Sequence, residues 1–367
     1  MKHRIIELDG LRGIAILMIL IWHYFTNLSF SVPDYLTKFL TKLTMLTWSG
    51  VDLFFVLSGF LIVGILLDNK NSKNYFKVFY IRRICRIFPL YYAMCIIYIA
   101  LSQSGINISY WLFNPAIPSW SYLLFLQNIF MTIQNTYGGH WLAITWSLAV
   151  EEQFYLLIPL MIKFFPKNLL VKVFVILILS APLFRITFNH FFSGLAAYIL
   201  PNARADSLLI GGCLAIIFRS NLMPFIYLRF EQIKGIIVVF IVGYFIFTFF
   251  DYNVGTAFSH IWLATLSGLL LLLALTASND CNSKVGAFFR QKWLLWLGTR
   301  SYAIYLLHQG VAGLIWVIFI GQQVPIITRR LDYGLVGLCL LITFIIAEIS
   351  YRYFENKFIA YGYRYKY

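Results

Sequence analysis

The chain has 367 residues, 61% of them hydrophobic and only 12% charged, with a formal net charge of +15. Soluble domains carry about twice that charged fraction, so the composition excludes an ordinary soluble enzyme and indicates an all-α polytopic membrane bundle. The positive charges sit in short blocks between apolar runs, which makes them topology signals and argues against a nucleic-acid partner. Five scattered cysteines, without metal-type spacing, imply neither a disulfide framework nor a zinc site.

In chain order, ten runs approach the roughly 20 residues a bilayer requires: 9–29, 48–67, 87–104, 145–165, 171–189, 205–218, 235–250, 258–278, 299–320 and 332–351. The sixth is the shortest. The stretch 121–133 is too short to span and reads as an interfacial or re-entrant piece. No cleavage site marks the N-terminal run, which reads as retained. Alternate connecting segments, 1–12, 68–86, 163–172, 219–234, 279–300 and 351–367, hold 23 of the 29 Lys and Arg. The positive-inside rule therefore predicts cytoplasmic termini and an even number of spans. The exceptions are Lys38, Lys42, Arg185, Arg204, Arg329 and Arg330. Without a soluble segment, linker or fixed-period repeat, residues 1–367 read as a single membrane-embedded domain, and any catalysis falls to the bundle and its loops.

The first run, GLRGIAILMILIWH, carries Arg12 at its start and His23 eleven residues later. A regular helix would place them on nearly one face, about 16 Å apart along the axis. A histidine inside a span either lines a functional cavity or hydrogen-bonds a neighbouring helix. Asp52 in GVDLFFVLSGF, Glu151 and Glu152 in WSLAVEEQFY, and Asp206 in RADSLLIGG all fall near the ends of their runs that the charge pattern places outward. Each has a structural reading, such as a helix cap. Their convergence with His23 at one depth suggests a site, because buried charges need partners. At the opposite end, Arg82, Arg83 and Arg86 in YIRRICRIFPLYY are either topology anchors or an anion site suited to phosphates. The ninth run, LGTRSYAIYLLHQG, adds Tyr302 and His308, which line the same cavity or pack. The aromatics of the 105–139 loop, Tyr110, Trp111, Trp120, Tyr122 and Tyr137, suit sugar rings but more commonly mark a membrane interface.

Taken in order, ELDGLRGIAILMILIWHY, SGVDLFFVLSGFLI, YIRRICRIFPLYY, WSLAVEEQFYLLIP, RADSLLIGG, LGTRSYAIYLLH and the closing YRYFE resemble the integral-membrane acyltransferase family 3. This group contains O-antigen, peptidoglycan, Nod-factor and macrolide O-acyltransferases. The resemblance implies transfer of an acyl group, typically acetyl from cytoplasmic acetyl-CoA, to a hydroxyl of a carbohydrate or lipid-linked glycan, in a bacterial-type plasma membrane. It makes His23 the essential histidine and Arg12 its companion. Some family members add an SGNH hydrolase-like domain, and this chain reads as the stand-alone form. Asn356 and Lys357 after Glu355 depart from the family's frequent glutamate-x-proline ending, which puts the role of Glu355 in question.

On this reading His23 is a general base that accepts the proton of the attacking hydroxyl. Asp52 or Glu151 would orient it as a triad carboxylate does. Arg12, Arg82, Arg83 and Arg86 would bind the CoA phosphates, and Glu152, Asp206, Tyr302 and His308 would line the substrate cavity. No metal is called for, and direct transfer and an acyl-enzyme relay both stay open. The rival class is a proton-coupled transporter of a small or glycosidic substrate, which also uses intramembrane carboxylates and histidines. A scaffold protein would leave the buried charges without a purpose.

Overall fold

A computed structural model describes residues 4–29, 35–104, 108–247, 252–329 and 331–367, the side chains of 246–247 and 252–256 excepted. Lys2, Arg330, loop residues 105–107 and the end of the expected 235–250 span lie outside the described residues. All regular structure among the described residues is helical. In chain order the helices are α1 (Ile6–Ile21), α2 (Tyr35–Thr44), α3 (Gly50–Asp68), α4 (Tyr75–Gln103), α5 (Tyr110–Phe113), α6 (Ser119–Leu123), α7 (Gln127–Ile133), α8 (His140–Ala143) and α9 (Trp146–Phe164). They continue as α10 (Lys167–Phe191), α11 (Gly194–Ile199), α12 (Pro201–Phe218), α13 (Met223–Tyr227), α14 (Phe230–Phe247), α15 (Tyr252–Ala277), α16 (Lys284–Phe289), α17 (Lys292–Ile320), α18 (Asp332–Ser350) and α19 (Asn356–Tyr363).

Among the described residues, eight helical segments are long and apolar enough to cross a membrane: Ile6–Thr26, Tyr35–Asp68, Tyr75–Gln103, Lys167–Phe191, Gly194–Phe218, Ala257–Ala277, Lys292–Ile320 and Asp332–Tyr363. The two other expected spans coincide with helices as well. One is α9, whose 19 residues include Glu151, Glu152 and Lys163, and the other is α14, which adjoins undescribed residues. The stretch 121–133 forms the end of the short helix α6, a three-residue connection and the whole of the short helix α7. Apolar exposure follows helical periodicity. On α10, Ile176, Leu179 and Leu183 are exposed while Phe174, Ala181 and Arg185 are buried. That arrangement is the reverse of a soluble helix and suits a lipid-facing surface. Pro89, Pro159 and Pro182 lie inside helices, a placement that spans tolerate because neighbours re-satisfy freed backbone groups.

The chain forms two compact units. The first comprises Met1–Ala15, Val51–Tyr75 and Ala149–Thr299, and the second Ile16–Gly50, Phe76–Leu148 and Arg300–Tyr367.

In the first unit, glycines let helix backbones meet. A Cβ on Gly59 of α3 would lie 1.8 Å from the Leu208 carbonyl oxygen of α12, and one on Gly211 would lie 2.0 Å from that of Val56. The glycines of the DGLRG and LGTR motifs act alike: Gly10 abuts Phe289, Gly13 abuts Leu294, and Gly298 abuts Asp9, each at a backbone oxygen. Small residues at such crossings replace the hydrophobic driving force that lipid does not supply.

The same unit buries two ion pairs. Arg204 of α12 donates to Asp52 of α3 at 2.7 Å, and both side chains are 0% exposed. Ser207 Oγ donates to the same oxygen at 2.8 Å. Arg204 Nη1 lies 2.6 Å from His260 Nδ1 of α15, and since a guanidinium only donates, that nitrogen is the acceptor and the His260 proton sits on Nε2. Arg185 of α10 pairs with Asp206 at 2.8 Å and donates to the Ala203 and Ala257 carbonyls at 2.6 and 2.8 Å. Arg185 and Arg204, exceptions to the positive blocks in the sequence, are thus core residues, paired with carboxylates that sequence spacing alone does not assign to them.

Two stability outcomes follow from this packing. Gly59→Ala should lower the thermal midpoint in detergent, by about 1–3 kcal/mol of overpacking, whereas Gly235→Ala, where nothing lies within 4 Å of the added Cβ, should be near neutral. Asp52→Asn should cost about 3–5 kcal/mol, because it leaves the Arg204 charge buried without its partner. A lost turnover with an unchanged midpoint would instead mark Asp52 as chemical.

Candidate active site

The second unit brings histidines together. The regular part of α1 ends at Ile21, and Trp22–Thr26 winds as a π turn. His23 therefore does not continue the regular α-helical face assumed from its spacing to Arg12. Single π turns are frequent at functional sites. Tyr24, in the same turn, fixes it: its hydroxyl donates to the His308 carbonyl of α17 at 2.6 Å and lies 2.9 Å from Thr343 Oγ1 of α18.

His23 is half-buried, and its Nδ1 accepts from Gln309 Nε2 at 3.0 Å. The ring of His308 lies 5.0 Å from that of His23, centroid to centroid. His308 Nδ1 donates to the Tyr305 carbonyl at 2.6 Å, and a carbonyl can only accept, so His308 carries its proton on Nδ1. That leaves Nε2 as a bare acceptor, buried and without a hydrogen-bond partner among the described residues. Tyr305 is itself held, donating to the Ile144 carbonyl at 2.9 Å with Ser147 Oγ 2.7 Å away.

A third histidine comes from the loop helices. His140 of α8 stacks on Trp111 of α5, centroids 4.2 Å apart and planes within 9°. Burial pushes its imidazole below the ordinary value, and its interaction with Gln309 works the other way, as that of an acceptor does. The loop is pinned to α4 by tyrosine hydroxyls, Tyr91 donating to the Tyr122 carbonyl and Tyr98 to that of Asn114, each at 2.7 Å. Tyr122, grouped in the sequence with interfacial aromatics, is fully buried, whereas Tyr110 and Trp120 are exposed.

The other expected site residues have different surroundings. Asp52 and Asp206 belong to the first unit's ion pairs, and Glu151 and Glu152 are half-buried on α9 in that unit. Arg12 pairs with Asp9 on its own helix at 3.3 Å. Arg82 donates to the Tyr365 carbonyl at 2.7 Å and lies over the rings of Tyr363 and Tyr367, so it holds the chain's closing segment. Arg83 and Arg86 are half-buried on α4, and Arg86 acts with Arg300 on the charge of buried Glu355, to which Ser350 donates at 3.0 Å. Tyr302 donates to the Ile87 carbonyl at 2.6 Å. Among the described residues no cluster of three or more His, Cys, Asp or Glu is placed to hold a metal ion. Sequence reasoning did not single out Gln309 and His140. The available signal for Gln309 was its position beside His308 as a second polar residue in an apolar span.

The family profile of the acyltransferase domain matches residues 5–351, which takes in both units. The chain is 31% identical over 384 residues to a peptidoglycan O-acetyltransferase, OatA, of Listeria monocytogenes serovar 1/2a, an alignment covering 97% of this chain and 56% of that protein. It is 28% identical to the O-acetyltransferase OatA of Staphylococcus aureus strain NCTC 8325, over 97% of this chain and 57% of that protein. The chain thus spans a little over half the length of these relatives. No solved structure matches it. With the motifs, the all-helical architecture and the profile in agreement from Ile5 to Tyr351, the chain belongs to the acyltransferase-domain family.

Proposed function

We propose that the protein is a multi-pass membrane O-acetyltransferase that moves an acetyl group from cytoplasmic acetyl-CoA to a hydroxyl of a cell-wall or related carbohydrate. Both termini would face the cytoplasm, and ten helices would span the membrane. The family membership and the names of the OatA relatives support the reaction class and the acceptor. The observation that carries the chemistry is the half-buried His23, held in a π turn by Tyr24 and bonded through Nδ1.

In this mechanism the acceptor oxygen attacks the thioester carbon while its proton passes to the neutral His23 imidazole. The carbon–sulfur bond then breaks with its electron pair on sulfur, and the thiolate takes the proton back from His23, giving an ester and free CoA thiol. A positioned base suits this step because an alcohol is a poor nucleophile at neutral pH. His308, locked as the Nδ1–H tautomer, would keep a neutral imidazole beside His23. Arg83 and Arg86 are the guanidiniums best suited to the CoA phosphates, since Arg82 holds the closing segment.

Purified protein in nanodiscs should release CoA from acetyl-CoA when a β-1,4-linked N-acetylglucosamine oligomer is supplied, which a transporter would not do. His23→Ala should lose about 10² to 10⁴ in turnover while keeping its acetyl-CoA affinity. Near-normal turnover in the folded variant would remove His23 from the mechanism.

The joint Arg83→Ala, Arg86→Ala variant should raise the KM for acetyl-CoA more than that for the acceptor, because contacts to the remote part of the donor act mainly on binding. An unchanged donor KM would return both residues to topology anchoring.

A further inference from the structure

We infer that His140 is a positioning residue for His23: it holds Gln309 by the amide carbonyl while the other end of that amide holds the His23 ring, so that three side chains form one hydrogen-bonded chain from the loop helix α8 to the π turn. The inference rests on the proposed acetyl transfer. Gln309 Nε2 donates to His23 Nδ1 at 3.0 Å. With its nitrogen end turned to His23, the amide turns its oxygen to His140, on which it acts as a hydrogen-bond acceptor does. His140 therefore presents an N–H to Gln309. All three residues belong to the second unit.

The local sequence explains how His140 comes to be there. Residues 138–141 read GGHW. Gly138 turns the chain at φ +66°, a left-handed conformation that favours glycine, and His140 and Trp141 then open α8. Trp141 packs on α17 beside Gln309: a Cβ on Gly310 would lie 2.9 Å from its ring, and its Nε1 donates to the Met94 carbonyl of α4 at 3.3 Å. Consecutive residues of α8 thus meet consecutive residues of α17, His140 at Gln309 and Trp141 at Gly310, which sets the register between the two helices. The plane of the His140 ring is fixed in turn by its stack on Trp111, 4.2 Å between centroids. A glutamine held at one end only keeps the freedom of its side-chain torsions, and pinning its second end removes that freedom before the reaction begins. His23 is half-buried and makes its hydrogen bond to this amide, so what steadies Gln309 steadies the imidazole. Misplacement of a reacting group by about 1 Å can cost 10² in rate.

The test is a double-substitution cycle on CoA release from acetyl-CoA by the full chain in nanodiscs, with the N-acetylglucosamine oligomer as acceptor. His140→Phe keeps a ring against Trp111 without an N–H, and Gln309→Leu removes the amide. Each should lower kcat about tenfold, the upper end of what one neutral hydrogen bond contributes, with the acetyl-CoA KM unchanged. The two together should lose no more than Gln309→Leu alone, because His140 acts only through that amide. Asparagine and glutamine carry an N–H near the places of the imidazole Nδ1 and Nε2, so one of His140→Asn and His140→Gln should restore kcat. An unchanged kcat in His140→Phe, or losses that multiply in the pair, overturn the assignment; a merely structural His140 would lower the thermal midpoint and give multiplying losses. Should His140→Phe or Gln309→Leu not fold, the two amide variants carry the test, and kcat kept in neither overturns it. Absence of CoA release from the unsubstituted protein would overturn the transfer reaction itself and is a distinct result.

Discussion

A charge withdrawn from water and from lipid headgroups must find its counter-charge inside the protein, and the first unit is organised by that requirement. Arg204 meets it with Asp52, and Arg185 with Asp206. Each arginine spends its further donors on buried acceptors: His260 for the one, the Ala203 and Ala257 carbonyls for the other. These bonds link α3, α10, α12 and α15, and short polar bonds of this kind require those helices to approach closely. Gly59 and Gly211 permit it on the α3 and α12 pair, where any Cβ would collide with a backbone oxygen. Ion pair and glycine contact therefore depend on each other, which explains why both SGF and RADSLLIGG stand out among otherwise interchangeable apolar residues.

Around His23 the second unit handles polarity with neutral groups. His308 is fixed by a carbonyl of its own helix, Tyr24 by the His308 carbonyl, and His23 by an amide. Such groups cost less to bury than ions, and their tautomers are dictated by which neighbours can only donate or only accept. An imidazole whose partners are all neutral has no fixed counter-charge to hold a proton on it. One bonded to a buried carboxylate would tend to hold the proton it receives.

Several features were legible in the sequence for definite physical reasons. Apolar run length marks helices able to cross a membrane, and among the described residues eight of the ten expected spans coincide with helical segments long and apolar enough to do so. The polar interruptions His23, Asp52, Asp206 and His308 were visible because each is costly in lipid. What pairs with what was not visible, because depth along a helix can be counted from sequence while the direction a side chain takes around it depends on the packing of other helices. Asp52 and His23 were therefore brought together on depth alone, whereas their hydrogen-bond partners are Arg204 and Gln309. Gln309 and His140 carry no charge at rest and sit in a span and a loop helix respectively, so neither composition nor charge patterning drew notice to them. The π turn at Trp22–Thr26 is likewise silent in sequence, since its residues are ordinary helix-compatible types.

The buried arginines also sharpen the charge argument they at first weakened. The positive-inside rule concerns residues that remain at the membrane surface during insertion. Arg185 and Arg204 are 2% and 0% exposed and neutralised by Asp206 and Asp52, so they report on the core rather than on orientation. Setting them aside leaves Lys38, Lys42, Arg329 and Arg330 outside the six segments that hold the other 23. Of the described three, Arg329 is paired with Asp332, while Lys38 and Lys42 are exposed on α2. That helix also exposes Leu36, Phe39 and Leu43 while burying Thr37 and Thr41. Apolar side chains turned outward with lysines beside them are what an interfacial helix requires, so the lysines of α2 have a local reason to be where they are.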